Sequence, residues 1–374
     1  MAPRINIRIV TAVLATCLPL QPGVRAQSAP PLYSPVILMY DGGMEPGGPS
    51  PGDSGNIQMR EDGSGFTYLT WPHFPNLLTW DLTHNGVSGR RYLLSASASG
   101  VPTPAGYSYA DCVSFREDGD PNTFRVLTSG TTTDLDRGCG SGLARWSVDG
   151  TRVLYPAQRW VGDTAVERGV YIGEVVLDAT GAPTALVNEH PVALDDPENG
   201  VTVCCGTLSS DGLRVVFAAS QTYIDEAGIK RSRQLGFFIT SAPRPTGGVV
   251  PGPQSAVPLG ITGGAPVFSP AARDNRLVYI VKDTKFPSLS HLRIVTVPPG
   301  YDGSSPLQPV QVTAKGLSNT QYAVWSPDGA FLAYTTATFT GGPNLVYKMR
   351  SNGSGKAVRL TSEQDDHIVV AWRR

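Results

Sequence analysis

Carboxylates are the side chains most conspicuously grouped for chemistry. Asp134 and Asp136, then Asp195, Asp196 and Glu198, then Asp365 and Asp366 each stand just ahead of an apolar stretch. Such clusters raise the local negative potential and suit a cationic peptide or Ca²⁺. The same residue type also closes turns by accepting backbone N–H bonds, and that is the more economical reading of these positions. Lys230, Arg231 and Arg233 form the opposite patch, inside a hairpin running from Thr222 to Gln234, and read as a solvated tip.

The remaining chemistry is sparse. His73, His84, His190, His291 and His367 are scattered without an HExxH pattern or a close pair, so no metal ligand is assigned. Gly353-Ser354-Gly355-Lys356 looks like the end of a phosphate loop, but Arg350 replaces its first Gly and Ala357 its Mg²⁺-binding hydroxyl. Gly138-Cys139-Gly140-Ser141-Gly142 lacks the spacing of a nucleophile elbow. No catalytic residue is assigned, and the chain reads as a binding protein before an enzyme.

Composition bounds what can position these groups. The 374 residues include 42 Gly and 32 Pro, about one in five, where about one in eight is usual. Turns are therefore dense, and charged residues make up only 16%. With 30 Lys+Arg against 31 Asp+Glu, the net charge of −1 excludes nucleic-acid binding by blanket electrostatics. A hydrophobic share of 40% suffices for a core. The class expected is all-β.

The first residues read as an address. Arg4 and Arg8 precede an apolar run from Ile9 to Leu20, and Val24-Arg25-Ala26 offers a cleavage site. Residues 1–26 are expected to be a signal peptide and 27–374 a single domain, periplasmic or extracellular, monomeric, with no transmembrane segment. Thr16 before Cys17 fits a lipoprotein box poorly, so lipid anchoring is the lesser reading. Export leaves Cys112, Cys139, Cys204 and Cys205, an even set expected to form one or two structural disulfides of undetermined pairing. The adjacent Cys204 and Cys205 are also candidates for a strained, redox-labile bridge.

A repeat organises the rest. Trp146-Ser147-Val148-Asp149-Gly150 is followed by an alternating apolar stretch, as is Trp325-Ser326-Pro327-Asp328-Gly329, and Leu208-Ser209-Ser210-Asp211-Gly212 matches both. Weaker copies follow Trp80 and Phe268, and Trp372 opens a truncated one. Each copy reads as a hairpin: a strand ending at the anchor, an Asp-Gly turn, and a returning strand. A second motif alternates with the first, at Met59-Arg60-Glu61-Asp62-Gly63-Ser64-Gly65 and Met349-Arg350-Ser351-Asn352-Gly353-Ser354-Gly355. Two hairpins per period predict four-stranded blades of a β-propeller. Six anchors predict six blades, the last shared between Trp372 and the early residues Ser34–Tyr40 and Ile57–Thr70.

These paired motifs resemble the propeller of the TolB-like family, whose repeats are WD40-like. The resemblance extends over essentially the whole chain after the leader. It departs from TolB in lacking the separate α/β domain that precedes the propeller there, and no hydrolase-sized segment follows Trp372. The resemblance implies a scaffold that binds an envelope protein or peptide, with the acidic loops on one rim of the central channel. The alternative it implies is a propeller enzyme, a carbohydrate lyase or hydrolase, with its site at the channel mouth.

Overall fold

A computed structural model describes residues 35–41, 55–68, 79–84, 91–95, 101–103, 106–108, 114–117, 125–126, 137–138, 144–161, 164–243, 251–286, 288–313, 319–337, 343–362 and 366–373. Among them the structure is nearly all antiparallel β, with one short 3₁₀ turn at Pro253–Ser255. No described helix is long and apolar enough to cross a membrane.

Apart from a two-stranded pair, Val101–Thr103 with Gly106–Ser108, the described strands fall into groups whose leading strand carries a repeat anchor. Thr79–His84 pairs with Arg91–Ser95, then Ser114–Glu117 and Arg125–Val126 follow in order. Arg145–Trp146 pairs with Arg152–Val161, which leads to Thr164–Leu177 and Pro183–Leu194. Val201–Leu208, Arg214–Ile224, Lys230–Ser241 and Val257–Pro258 make the next sheet. Gly264–Phe268, Arg276–Lys282, Ser290–Thr296 and Val310–Gln311 follow, then Asn319–Trp325, Phe331–Ala337, Asn344–Arg350 and Val358–Arg359. A parallel bridge between Ser290 and Asn319 links these last two groups.

The sequence expectation for Trp372 meets a direct counterpart. His367–Arg373 pairs with Val36–Asp41, which pairs in turn with Gly55–Arg60 and then Thr67–Tyr68. Early and late residues thus share one sheet. The leading strands of the sheets also touch in sequence order, from Thr79–His84 to His367–Arg373, and the last touches the first.

The repeat motif has a bonding reason. Ser147 Oγ donates to Asp149 Oδ1 (2.6 Å) and accepts from the Arg152 N–H (2.9 Å). Ser209 does the same with Asp211 (2.5 Å) and Arg214 (3.0 Å), and Ser326 with Asp328 (2.6 Å) and Phe331 (2.8 Å). The glycine after each Asp sits at φ near +70°, the left-handed region that a side chain would strain. One buried hydroxyl and one carboxylate therefore fasten each turn and satisfy its backbone. Gly353 to Lys356 is the equivalent turn of the second motif, with Asn352 Oδ1 accepting the Ser354 N–H (2.9 Å).

The core lies between neighbouring sheets rather than inside one. Leu154, Val170 and Ile172 pack on Val203, Leu208 and Phe217 of the following sheet. Phe237 and Val216 pack on Leu277 and Tyr279, and Val278 and Leu292 on Trp325 and Leu332. Ile37, Met39 and Ile57 close against Val324, Val346 and Trp372. The four successive groups of strands between Arg145 and Arg359 bury apolar area on both faces, the main stabilising term available to stacked sheets.

Candidate functional site

The leading strands have two ends, and the structure gives them different chemistry. At the entry end, Asp195 Oδ1 accepts the Val203 N–H (2.7 Å) and its Oδ2 lies 3.7 Å from Arg168 Nε. Burial raises the Asp195 carboxyl above the usual carboxylate value, and the Val203 and Arg168 contacts only partly offset it. Asp196 forms a backbone bridge with Val201, and its carboxylate accepts from the Asn199 amide (2.7 Å) and N–H (3.2 Å). Glu198 is exposed in the same turn. Asp366 accepts from the Asn344 N–H (2.9 Å) and Nδ2 (2.7 Å). Asp134, Asp136 and Asp365 lie outside the described residues. Each described aspartate here is already engaged: Asp196 within its own turn, Asp195 by Val203 and Arg168, and Asp366 by Asn344 of the neighbouring hairpin.

The exit end carries a cavity of about 440 Å³, counted with its open mouth. Leu208, Phe268, Trp325 and Trp372, four of the repeat anchors, line it together with Arg145 and Arg373. Val148, exposed at 45%, stands at its edge. Arg145 is almost wholly buried, and its Nη1 donates to the Val370 carbonyl (2.6 Å). Arg373 Nη2 reaches the Trp146 carbonyl (3.4 Å). A smaller hollow beside Arg145 continues along the strands past Val267, Val324 and Val370. The strand His367–Arg373 runs from Asp366 at one end to this cavity at the other, ~20 Å at a strand's usual rise. The acidic loops and the cavity therefore occupy opposite ends of the same strands. Trp80 and Trp146 complete the anchor set: Trp146 is buried beside Val153 and Tyr155, and the side chain of Trp80 lies outside the described residues.

Sequence reasoning missed the cations that seat these anchors. Arg152 Nη1 donates to the Gly212 carbonyl of the next turn (2.7 Å). Arg214 reaches Asn275 Oδ1 (2.5 Å) and lies over the Phe268 ring (5.7 Å). Arg276 reaches the Gly329 carbonyl (2.8 Å) and Ser351 Oγ (2.9 Å), and lies over Trp325 (4.8 Å). At the following junction Phe331 takes the equivalent position, and Lys348 sits over Phe331 (4.7 Å) and Trp372 (5.3 Å). Three successive anchors thus carry a cation from the preceding sheet, each contact worth about 0.5–2 kcal/mol. The signal was an arginine five residues after the motif serine in two copies, at Arg152 and Arg214.

The described histidines do not converge. His190 bonds the Asn188 and Ala242 carbonyls, and buried His291 bonds Asp283 (2.9 Å). That contact, with the Phe286 and Lys285 N–H groups, holds the Asp283 carboxyl down at about 2. His367 is buried against Phe66. His73 and the side chain of His84 lie outside the described residues. Among the described residues no group of three or more His, Cys, Asp or Glu side chains is arranged to hold a metal ion.

The disulfide expectation is not met at Cys204 and Cys205. Cys204 and Cys205 are free thiols, and Cys112 and Cys139 lie outside the described residues. Cys205 sits at φ +58°, which breaks strand alternation, and the two sulfurs are not bridged. The basic hairpin fits its expected role as a tip: Lys230, Arg231 and Arg233 are exposed, with Arg231 paired to Asp225 (2.9 Å) and Arg233 to Gln221.

No family model and no curated protein matches the chain. Solved structures do. TolB from Acinetobacter baumannii is similar at a TM-score of 0.53 and 14% identity, over 93% of this chain and 69% of that one. A puromycin hydrolase mutant complexed with PGG gives 0.46 at 13% identity, over 87% of this chain and 52% of that one. Oligogalacturonate lyase in complex with manganese gives 0.41 at 13% identity, over 76% and 73%. The chain spans about half the length of the hydrolase. The likeness to TolB, with the sheet arrangement, gives the fold as a β-propeller. A fold of this kind does not by itself choose between binding and catalysis.

Proposed function

We propose that residues 27–374 form one six-bladed, TolB-like propeller with four strands to a blade, exported by its leader and working in the cell envelope as a scaffold for a protein or peptide. Two features support the architecture: the circuit of touching leading strands and the sheet shared by Val36–Asp41 and His367–Arg373. The observation that carries the function is the lining of the exit-end cavity. Leu208, Phe268, Trp325 and Trp372 offer apolar and aromatic surface, and Arg145 and Arg373 offer positive charge. Among its described lining residues no carboxylate, imidazole or thiol is present, so the set suits gripping a segment better than acid–base chemistry. Its occupant is a peptide segment that pairs an apolar side chain with an acidic group. The acidic loops of Asp195, Asp196, Glu198 and Asp366, with Asp134, Asp136 and Asp365, are the second face of this proposal, for basic groups or Ca²⁺.

Affinity capture from the native envelope tests the reading, using three forms of the full chain. Val148→Glu with Arg373→Glu should abolish the captured partner, while Asp195→Asn, Asp196→Asn and Asp366→Asn together should weaken it only modestly. Loss confined to the aspartate variant would move the site to the entry end. Capture unchanged in both would sink the scaffold reading.

A further inference from the structure

Cys204 and Cys205 lie midway between the two ends, on the leading strand Val201–Leu208. This strand pairs with Arg214–Ile224 in regular register from Val201 to Cys204, then slips before Thr207. Cys205 and Gly206 form the resulting bulge, with Cys205 in the left-handed region. Bulges of this kind re-aim side chains, and here the bulge takes Cys205 out of strand alternation beside Cys204.

We infer that Cys204 and Cys205 are a reactive dithiol, oxidised by disulfide exchange to a vicinal bridge that reshapes the bulge and the cavity beyond it. The geometry divides the labour. Cys204 is exposed and Cys205 half-buried, so only the first is open to an incoming disulfide. The adjoining Cys205 thiol lowers the Cys204 thiol against the opposing effect of burial; Arg168 helps and Asp195 opposes. The Cys204 thiol and burial together push the Cys205 thiol up. Cys204 is thus the attacking group and Cys205 the resolving one.

The chemistry balances with a small-molecule or protein disulfide, RSSR, as oxidant. The Cys204 thiolate attacks one sulfur of RSSR, forming a Cys204–SR bond and expelling RS⁻. Cys205 loses its proton and attacks the Cys204 sulfur, forming the vicinal bond and expelling a second RS⁻. Two cysteine thiols are oxidised, one disulfide is reduced, and the two thiol protons end on the two RS⁻. Neighbouring Cα atoms lie ~3.8 Å apart across a trans peptide, shorter than the span disulfides prefer, so the product should be easily reduced.

The bulge has few ways to absorb such a bridge. A Cβ at Gly206 would already meet Leu154 Cδ2 at 2.7 Å, so the backbone there is pressed against the preceding sheet. Thr207, the next residue, accepts the Phe268 N–H through Oγ1 (3.1 Å), and both residues line the cavity. Ring closure at residues 204–205 therefore displaces the Thr207–Phe268 contact. The redox chemistry stands independently of the binding reading; only its consequence for a ligand rests on that reading.

The purified full chain is equilibrated in buffers of varied reduced and oxidised glutathione, trapped with an alkylating agent, and mapped by peptide mass. The wild type should form a Cys204–Cys205 bridge, reversed by mild thiol. Cys205→Ser should stop at a glutathione adduct on Cys204, and Cys204→Ser should react at least about tenfold more slowly. Wild-type protein should also bind one equivalent of phenylarsine oxide, a readout that needs no variant to fold. Tryptophan emission from Trp325 and Trp372 should shift on oxidation and return on reduction. A bond from either cysteine to Cys112 or Cys139, or two inert thiols, would overturn the proposal. Bridge formation with unchanged emission would refute the coupling to the cavity.

Discussion

Aspartate serves at both ends of the leading strands, but not in the same way. At the turn end, Asp149, Asp211 and Asp328 each hold a buried serine that holds the returning strand. At the entry end, Asp195 holds a strand N–H, Asp196 its own turn, and Asp366 an asparagine from the neighbouring hairpin. Identical copies mark the positions that build the sheets. Differing copies mark the loops free to vary in chemistry. The cavity sits at the conserved-geometry end because the anchors that end the strands are large and apolar there.

The comparison predicts that the turn end carries more of the stability, and variants test it in order of effect. Trp325→Ala removes a buried ring whose Nε1 donates to the Val267 carbonyl (2.8 Å) and on which Arg276 rests. It should cost about 3–5 kcal/mol in denaturant unfolding. Ser209→Ala strips a 2%-exposed hydroxyl from Asp211 and the Arg214 N–H, and should cost about 1–2 kcal/mol. If either change costs less than an entry-end aspartate substitution, the division of labour is wrong.

Acid titration sharpens the contrast by sign. Burial raises the Asp211 carboxyl, but bonds from Ser209 and the Leu213 N–H, with nearby Arg214, outweigh it and hold the group below its ordinary 3.8. Its contribution is present above 3.8 and lost as pH falls through the lowered value. Asp195 is raised by burial, so its contribution is present below 3.8 and lost as pH rises through the raised value. Stability measured against pH should therefore show Asp211→Asn losing ground to the wild type as pH rises. Asp195→Asn should gain on it over the same range. Equal signs for the two would break the comparison. The smallest effect belongs to Arg231→Ala at the exposed hairpin tip, where Tm should not change measurably.

What could be read from residues alone follows the range of the interactions. The Ser-x-Asp-Gly turn was legible because its partners lie within five residues, as between Ser147 and Arg152. The pairing of Trp372 with an early strand was legible because an unfinished repeat needs a complement. Arg214 and Arg276 were not, since their partners Asn275 and Gly329 lie in the next repeat and an isolated arginine looks like any surface cation. The position of the cavity was equally hidden. Acidic residues announce themselves in a sequence, whereas a hollow lined by core-forming side chains does not. The even cysteine count pointed to staples, but Cys204 and Cys205 follow local strand geometry instead.

The sheet shared by Val36–Asp41 and His367–Arg373 also imposes a schedule. Synthesis proceeds from the N-terminus, so Val36–Asp41 and its neighbour Gly55–Arg60 exist long before the last strand is made. Throughout that interval Val36–Asp41 presents an open edge, and Ile37, Leu38 and Met39, fully buried in the finished molecule, lack their cover. Contacts this distant in sequence also form slowly. The hazard for this chain is thus one of timing: an apolar edge strand is ready early and protected last.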